Sequence, residues 1–206
     1  MDPLGKSELL SFYDRHLKDF GDSPQSVRWT AAGQLRRYEA LLRLSGDLSG
    51  KRVLDFGCGK GDFYGFLTKE SISVNYCGLD VNRNLIELAG RKYPDAEVRA
   101  LDIDETDINE KFDVVFICGT FNLRIAGIEE TVRNVLKKLF GLCREALYVN
   151  FLSFYVPRRD FELFYVKPDE MVRFVLSELS RSLTFTREGE DIYLAIYNPS
   201  YSQISR

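Results

Sequence analysis

Histidine is nearly absent: His16 is the one imidazole in 206 residues. The four cysteines, Cys58, Cys77, Cys118 and Cys143, are scattered, with no C-x-x-C pair. Without clustered thiols or imidazoles there is no zinc-type ligand set, and no metal site is expected. A Ser-His-Asp arrangement finds no support either, because His16 falls in a helical stretch and reads as a plain helix residue. No apolar run approaches the roughly 18 residues of a membrane-spanning helix, so no membrane partner is expected. Cations are not in excess: 28 Lys and Arg face 31 Asp and Glu, for a net charge of −3. The basic footprint of a nucleic-acid binder is therefore missing. The opening MDPLGKSELLSFYDRHLKDF mixes charge with apolar residues and does not read as a secretory signal, so reduced thiols and a cytoplasmic location are expected.

What remains is ample core material. The chain is 45% hydrophobic, with 15 Phe and 11 Tyr, and its length suits one domain. Residues 4–20 place Leu4, Leu9, Leu10, Phe12, Tyr13, Leu17 and Phe20 near one helical stripe. GDSPQSV breaks that helix, and residues 21–27 are the one candidate linker. A second helix is predicted from Trp29 to Leu44, with Leu35, Tyr38, Leu41 and Leu42 on its apolar side. The rest alternates strand and helix: KRVLDF, DFYGFLTKE, VNYCGLD, NRNLIELAGRKY, AEVRALD, KFDVVFICG, the amphipathic 127–140, and EALYVNFLSFY. That rhythm implies a parallel sheet covered by helices on both faces. The tail breaks it. After a helix opened by Pro168, SLTFTREGEDIYLAIYN gives two strands around Glu188-Gly189-Glu190, a connection short enough only for an antiparallel hairpin at the sheet edge.

Residues 53–63, VLDFGCGKGDF, carry the chemistry. Gly57, Gly59 and Gly61 let the chain turn sharply from strand to helix and let a ligand approach the backbone. The spacing is G-x-G-x-G rather than the G-x-G-x-x-G of dinucleotide sites. Asp55 precedes the first glycine, where a carboxylate repels a pyrophosphate and suits an ammonium group. Asp80 ends the second predicted strand, 19 residues past Gly61, and is placed to accept both hydroxyls of a ribose. That much does not separate NAD from other adenosine ligands.

VLDFGCGKG, CGLDVN, ALDID and FDVVFICGTFN, in that order, resemble successive motifs of the class I S-adenosylmethionine-dependent methyltransferases. The resemblance covers about residues 50–200. It implies an α/β, Rossmann-like, doubly wound sheet of seven mostly parallel strands with a C-terminal antiparallel hairpin. The chain then reads as a single methyltransferase domain over 1–206, with a helical cap at 1–49 and the core at 50–206. It also implies S-adenosyl-L-methionine as cofactor. Asp55, Gly57, Cys58, Gly59 and Gly61 would line its methionine half. Asp80 and Val81 would take the ribose, Asp102 and Ile103 the adenine, and Cys118 and Gly119 would face the sulfonium. Trp29 and Arg37 would close the site, with Arg37 on the methionine carboxylate and Gln34 nearby.

Methyl transfer from a sulfonium releases a neutral leaving group, so positioning can suffice and no catalytic dyad is required. The acceptor end of such a fold lies beyond strands four and five. The positioning candidates there are Thr120, Phe121, Asn122 and Tyr155, with Arg124, Phe151, Ser153 and the aromatics of 151–166 around them. The expected reaction is transfer to an O or N atom of a small molecule by a monomer or homodimer. An RNA or protein methyltransferase, or a non-catalytic binder of adenosine ligands, is the alternative. After strand four CGTF stands where the amine- and amide-methylating enzymes of nucleic acids and proteins resemble one another in a Pro-Pro motif.

Overall fold

The computed structural model describes residues 1–199. Two α-helices open the chain, α1 (Pro3–Phe20) and α2 (Ala31–Ser45), joined through a short 3-10 helix at Pro24–Val27. Strand and helix then alternate: β1 (Arg52–Phe56), α3 (Asp62–Lys69), β2 (Asn75–Asp80), α4 (Arg83–Lys92), β3 (Glu97–Ala100) and β4 (Phe112–Ile117). Helix α5 (Ile128–Leu142) leads into the long β5 (Cys143–Ser153). The short β6 (Tyr165–Val166), α6 (Pro168–Glu178) and the hairpin β7 (Leu183–Glu188) and β8 (Asp191–Tyr197) complete it. The last seven residues assigned to the predicted core lie outside the described residues.

The strands form one sheet in the order β3-β2-β1-β4-β5-β8-β7, and β6 pairs with the end of β5. All pairings are parallel except β5 with β8 and β7 with β8. The hairpin therefore joins the sheet through β8, as the tail predicts, and the order is that of the Rossmann-like class. The two-residue β6 is additional and brings the sheet to eight strands. It is too short to register as a pattern in the sequence, and it forms because Leu152 and Ser153 pair with Tyr165 and Val166.

Alternation along the strands splits the core in two. Val115, Ile117, Leu147, Val149, Ile192, Leu194 and Ile196 face α5 and α6. Val114, Phe116, Ala146, Tyr148, Tyr193 and Ala195 face α2 and α3. Burial on both faces is what makes β4 and β5 read as continuous apolar runs. Side chains cap three helices: Asp2 accepts from the Leu4 and Gly5 amides, Thr30 from Gly33 and Asn82 from Leu85.

Three expectations are corrected. Helix α1 buries only Gly5 and Leu9, while Leu4 and Phe20 of the expected stripe stand in solvent. Its dock is narrow, so helical spacing overstated the buried face. Leu35 of α2 is likewise exposed. Residues 21–27 are no free linker: Ser26 is fully buried, and Asp22 holds Lys60 at 2.9 Å and Lys92 at 3.0 Å. No helix among the described residues is long and apolar enough to cross a membrane.

Candidate active site

The sheet order reverses between β1 and β4, and open α/β sheets bind ligands at the carboxyl ends of such a pair. A pocket opens there. Its floor is the 57–60 loop after β1, Asp80 and Val81 after β2, 101–104 after β3 and 118–121 after β4. Leu9, Tyr13, Val27 and Trp29 from the N-terminal segment form its roof.

The loop geometry follows from Gly57. Its φ is +74°, and its amide donates to the Leu79 carbonyl at 2.7 Å. A Cβ there would sit 2.3 Å from Thr120 Oγ1, so only glycine lets the loop pass this residue. Thr120 in turn donates to the Phe56 carbonyl at 2.9 Å, tying the β1 and β4 ends together. Asp80 Oδ2 accepts from the Gly59 amide and Oδ1 from the Asn82 amide, both at 2.8 Å. Burial pushes the Asp80 carboxyl up, and these N–H donors oppose the shift.

Asp55 stands behind the loop rather than on the pocket wall, 2% exposed. Its Oδ2 accepts from the Tyr76 hydroxyl at 2.6 Å. Burial, followed by the charges of Asp80 and Asp62, pushes its carboxyl up to about 7, against the Tyr76 hydrogen bond. The folded chain therefore holds this proton more tightly than the unfolded chain, where the group titrates near 3.8. Asp55's contribution to stability is thus full below about pH 4 and is lost as pH rises through about 7. Asp55→Asn keeps an acceptor for Tyr76 and is expected to flatten that slope. Urea unfolding midpoints at acid and mildly alkaline pH, compared with wild type, measure it.

Carboxylates dominate the loop's surroundings. Asp55, Asp62 and Asp80 flank it, and its one cation, Lys60, is spent: 3% exposed, it pairs with Asp22 at 2.9 Å and Asp62 at 2.7 Å. Asp62 also takes Lys92 at 2.7 Å and the Gln34 amide at 3.0 Å. This lattice fastens the 21–27 segment to the glycine loop. Nothing in the local pattern beyond the charges themselves signals it, because the partners lie tens of residues apart.

At the β3 end, Asp102 and Ile103 line the pocket, with Ile103 buried against the core. The Asp102 carboxylate is already engaged, by Lys6 of α1 at 2.6 Å and by the Asp104 amide at 2.8 Å. At the β4 end, Cys118 and Gly119 line the pocket, and burial pushes the Cys118 thiol well up, so it is no thiolate nucleophile. Trp29 lies against Gly119, and behind them runs a buried polar chain. The Gly119 amide donates to Asn150 Oδ1 at 2.8 Å, Asn150 Nδ2 to Asp191 Oδ1 at 2.9 Å, and Arg37 Nε to the same oxygen at 2.9 Å.

That chain corrects the expectation for Arg37. A guanidinium only 12% exposed needs a buried counter-charge, and Asp191, 1% exposed, supplies it. Arg37 stacks over Trp29 at 5.0 Å and borders a second cavity, not the main pocket. Gly61 is also off the pocket, packed on Tyr93 at the start of α3. The acceptor-end candidates separate. Thr120 and Phe121 line the main pocket and Asn122 the second cavity. Tyr155 is 56% exposed, with its hydroxyl toward Asp169, because the chain leaves the sheet at Ser153. Phe151 and Ser153 are buried, and Phe154, Phe161, Phe164 and Tyr165 line an outer groove with Arg124. His16 stacks on Phe12 with centroids 3.9 Å apart and takes no part in the pocket. Tyr13, whose sequence pattern places it only on the apolar stripe of the first helix, borders both cavities.

Residues 53–144, the stretch supplying every floor loop of this pocket, match the family described as methyltransferase domain. The chain is matched by that family over a little under half of its length. It is similar to a putative methyltransferase, 235L, of Invertebrate iridescent virus 6: 24% identical over 162 residues, covering 75% of this chain and 61% of that one. A fatty-acid O-methyltransferase of Mycolicibacterium smegmatis is 31% identical over 101 residues, 46% of this chain and 37% of that one. The chain thus spans less than two thirds of these relatives' length. Among solved structures, magnesium protoporphyrin IX methyltransferase of Synechocystis PCC 6803 superposes with a TM-score of 0.68 at 16% identity, covering 94% of this chain and 97% of that one. At that identity the likeness concerns the fold of the methyltransferase domain.

Proposed function

We propose that the chain is an S-adenosylmethionine-dependent methyltransferase acting on an O or N atom of a small molecule. The observation that carries this reading is the charge around the glycine loop. Its one lysine is spent on Asp22 and Asp62, and Asp80 beside it has no cationic partner among the described residues, a setting that offers a phosphate no free cation and favours a cationic nucleoside. Fit is supported at each part. Asp80, braced by two amides, would hold the ribose hydroxyls. Val81, Asp102 and Ile103 would hold the base, with Asp102 shared with Lys6. Gly57, Cys58 and Gly59 would follow the methionine part, Asp55 would answer its ammonium from behind the loop, and Cys118 and Gly119 would stand toward the sulfonium. The donor supplies a methyl on positively charged sulfur, whose departure as a neutral thioether needs no acid. The protein's work is then to orient the donor and to exclude water beneath Tyr13, Val27 and Trp29.

In the same reading, residues 1–49 are a cap on one domain, the protein is cytoplasmic, and it works as a monomer or homodimer on a small acceptor. The scattered cysteines, all free, are consistent with a reducing compartment. The test is thermal unfolding with added S-adenosylmethionine, S-adenosylhomocysteine or NAD. The first two are expected to raise the midpoint by several degrees and NAD to leave it in place. A rise with NAD alone would overturn the assignment.

A further inference from the structure

A second cavity adjoins the main pocket, sharing Tyr13, Val27 and Trp29 with it. Phe12, Leu123 and Leu163 give it an apolar wall, and its polar lining is Arg28, Arg37, Asn122 and Glu190. Both arginines are neutralised: Arg28 by Asp160 at 2.6 Å and Glu162 at 2.7 Å, Arg37 by Asp191 at 2.9 Å. Glu190 has no cationic partner among the described residues. With both guanidinium charges matched by carboxylates behind the lining, Glu190 is the lining charge left without a counter-ion. Asn122 is 9% exposed, and its Oδ1 is buried without a hydrogen-bond partner. Leaving such a carbonyl unpaired costs about 1–3 kcal/mol, so a ligand that brings a donor favours the amide turned with this oxygen toward the cavity.

We infer that this cavity is the methyl-acceptor subsite and that it takes an amine carried on a compact apolar body, which makes the transfer an N-methylation. The inference rests on the donor reading above. An amine offers what the cavity leaves unmatched: N–H donors for Asn122 and positive charge toward Glu190. A carboxylate would add to an existing excess of negative charge, and an alcohol brings no charge. The bound ammonium gives one proton to water past the exposed Glu190. The free nitrogen pair then bonds to the methyl carbon as the carbon–sulfur bond breaks, and that bond's electrons remain on sulfur. The product is a methylated ammonium, which releases its extra proton by the same route.

The experiment titrates the full chain, saturated with S-adenosylhomocysteine, with phenethylamine, phenylpropionate and phenylethanol in a calorimeter. Phenethylamine is expected to bind at least about tenfold more tightly than either analogue. Glu190→Gln and Asn122→Ala should each cut its affinity several-fold without changing that for S-adenosylhomocysteine, and Glu190→Lys should turn the preference toward phenylpropionate. Equal or tighter binding of the acid or the alcohol, or no binding of the amine while S-adenosylhomocysteine binds, overturns the amine assignment alone. Failure of S-adenosylhomocysteine to bind overturns the donor reading and this one together.

Discussion

Gly119→Ala is expected to lower the unfolding free energy by about 2–4 kcal/mol, the combined scale of left-handed strain and overpacking. Gly119 has φ +69°, and a Cβ there would lie 2.0 Å from Cζ2 of Trp29. A flexible side chain could swing aside, but this indole is held under Arg37 and beside Tyr38. Arg37 is itself fixed to Asp191. The ring therefore has to leave its seat or the β4 turn has to open, and either change reaches both cavities. Trp29 is the one tryptophan of the chain, so its emission reports the displacement directly. Urea unfolding gives the stability change, and a red-shifted native emission gives its cause. An unchanged midpoint together with unchanged emission would show that the indole is free to yield.

Asp80→Ala is expected to weaken S-adenosylhomocysteine binding by about a hundredfold, near 3 kcal/mol, by removing charge-assisted hydrogen bonds. Two effects act in one direction. The carboxylate proposed for the ribose diol is lost, and the Gly59 and Asn82 amides lose their acceptor, so the loop's shape is no longer imposed. Asp80→Asn separates them. It leaves an oxygen for one amide and takes the charge away, so its loss should be intermediate. Calorimetric titration of both variants checks the order, with circular dichroism confirming retained fold. Wild-type affinity in Asp80→Ala would remove the ribose assignment.

The main plan of the fold was legible because it rests on local signals. Alternating apolar runs gave the strands, Glu188-Gly189-Glu190 gave the hairpin, and the three glycines after VLDF marked the loop. The residues that end β1 to β4 stand at the pocket for the same reason: strand ends are readable, and a doubly wound sheet brings them together. Long-range choices were not readable. Whether Arg37 turns to a ligand or to Asp191 depends on a strand 154 residues away. Whether Asp22 belongs to a loose linker or to a clamp depends on Lys60 and Lys92. The α1 stripe misled because helical spacing shows which residues share a face and not how wide a groove receives them.

The roof over the main pocket has a thermodynamic consequence. Tyr13, Val27 and Trp29 belong to both cavities, and all three come from the first thirty residues. A ligand that immobilises these shared side chains from one cavity leaves less of them to be ordered from the other. Ordering of this kind would link occupancy of the two cavities positively without any change of shape, and reciprocity would make the factor the same in both directions. The demethylated donor would raise an acceptor's affinity by the same factor as an acceptor raises that of the demethylated donor.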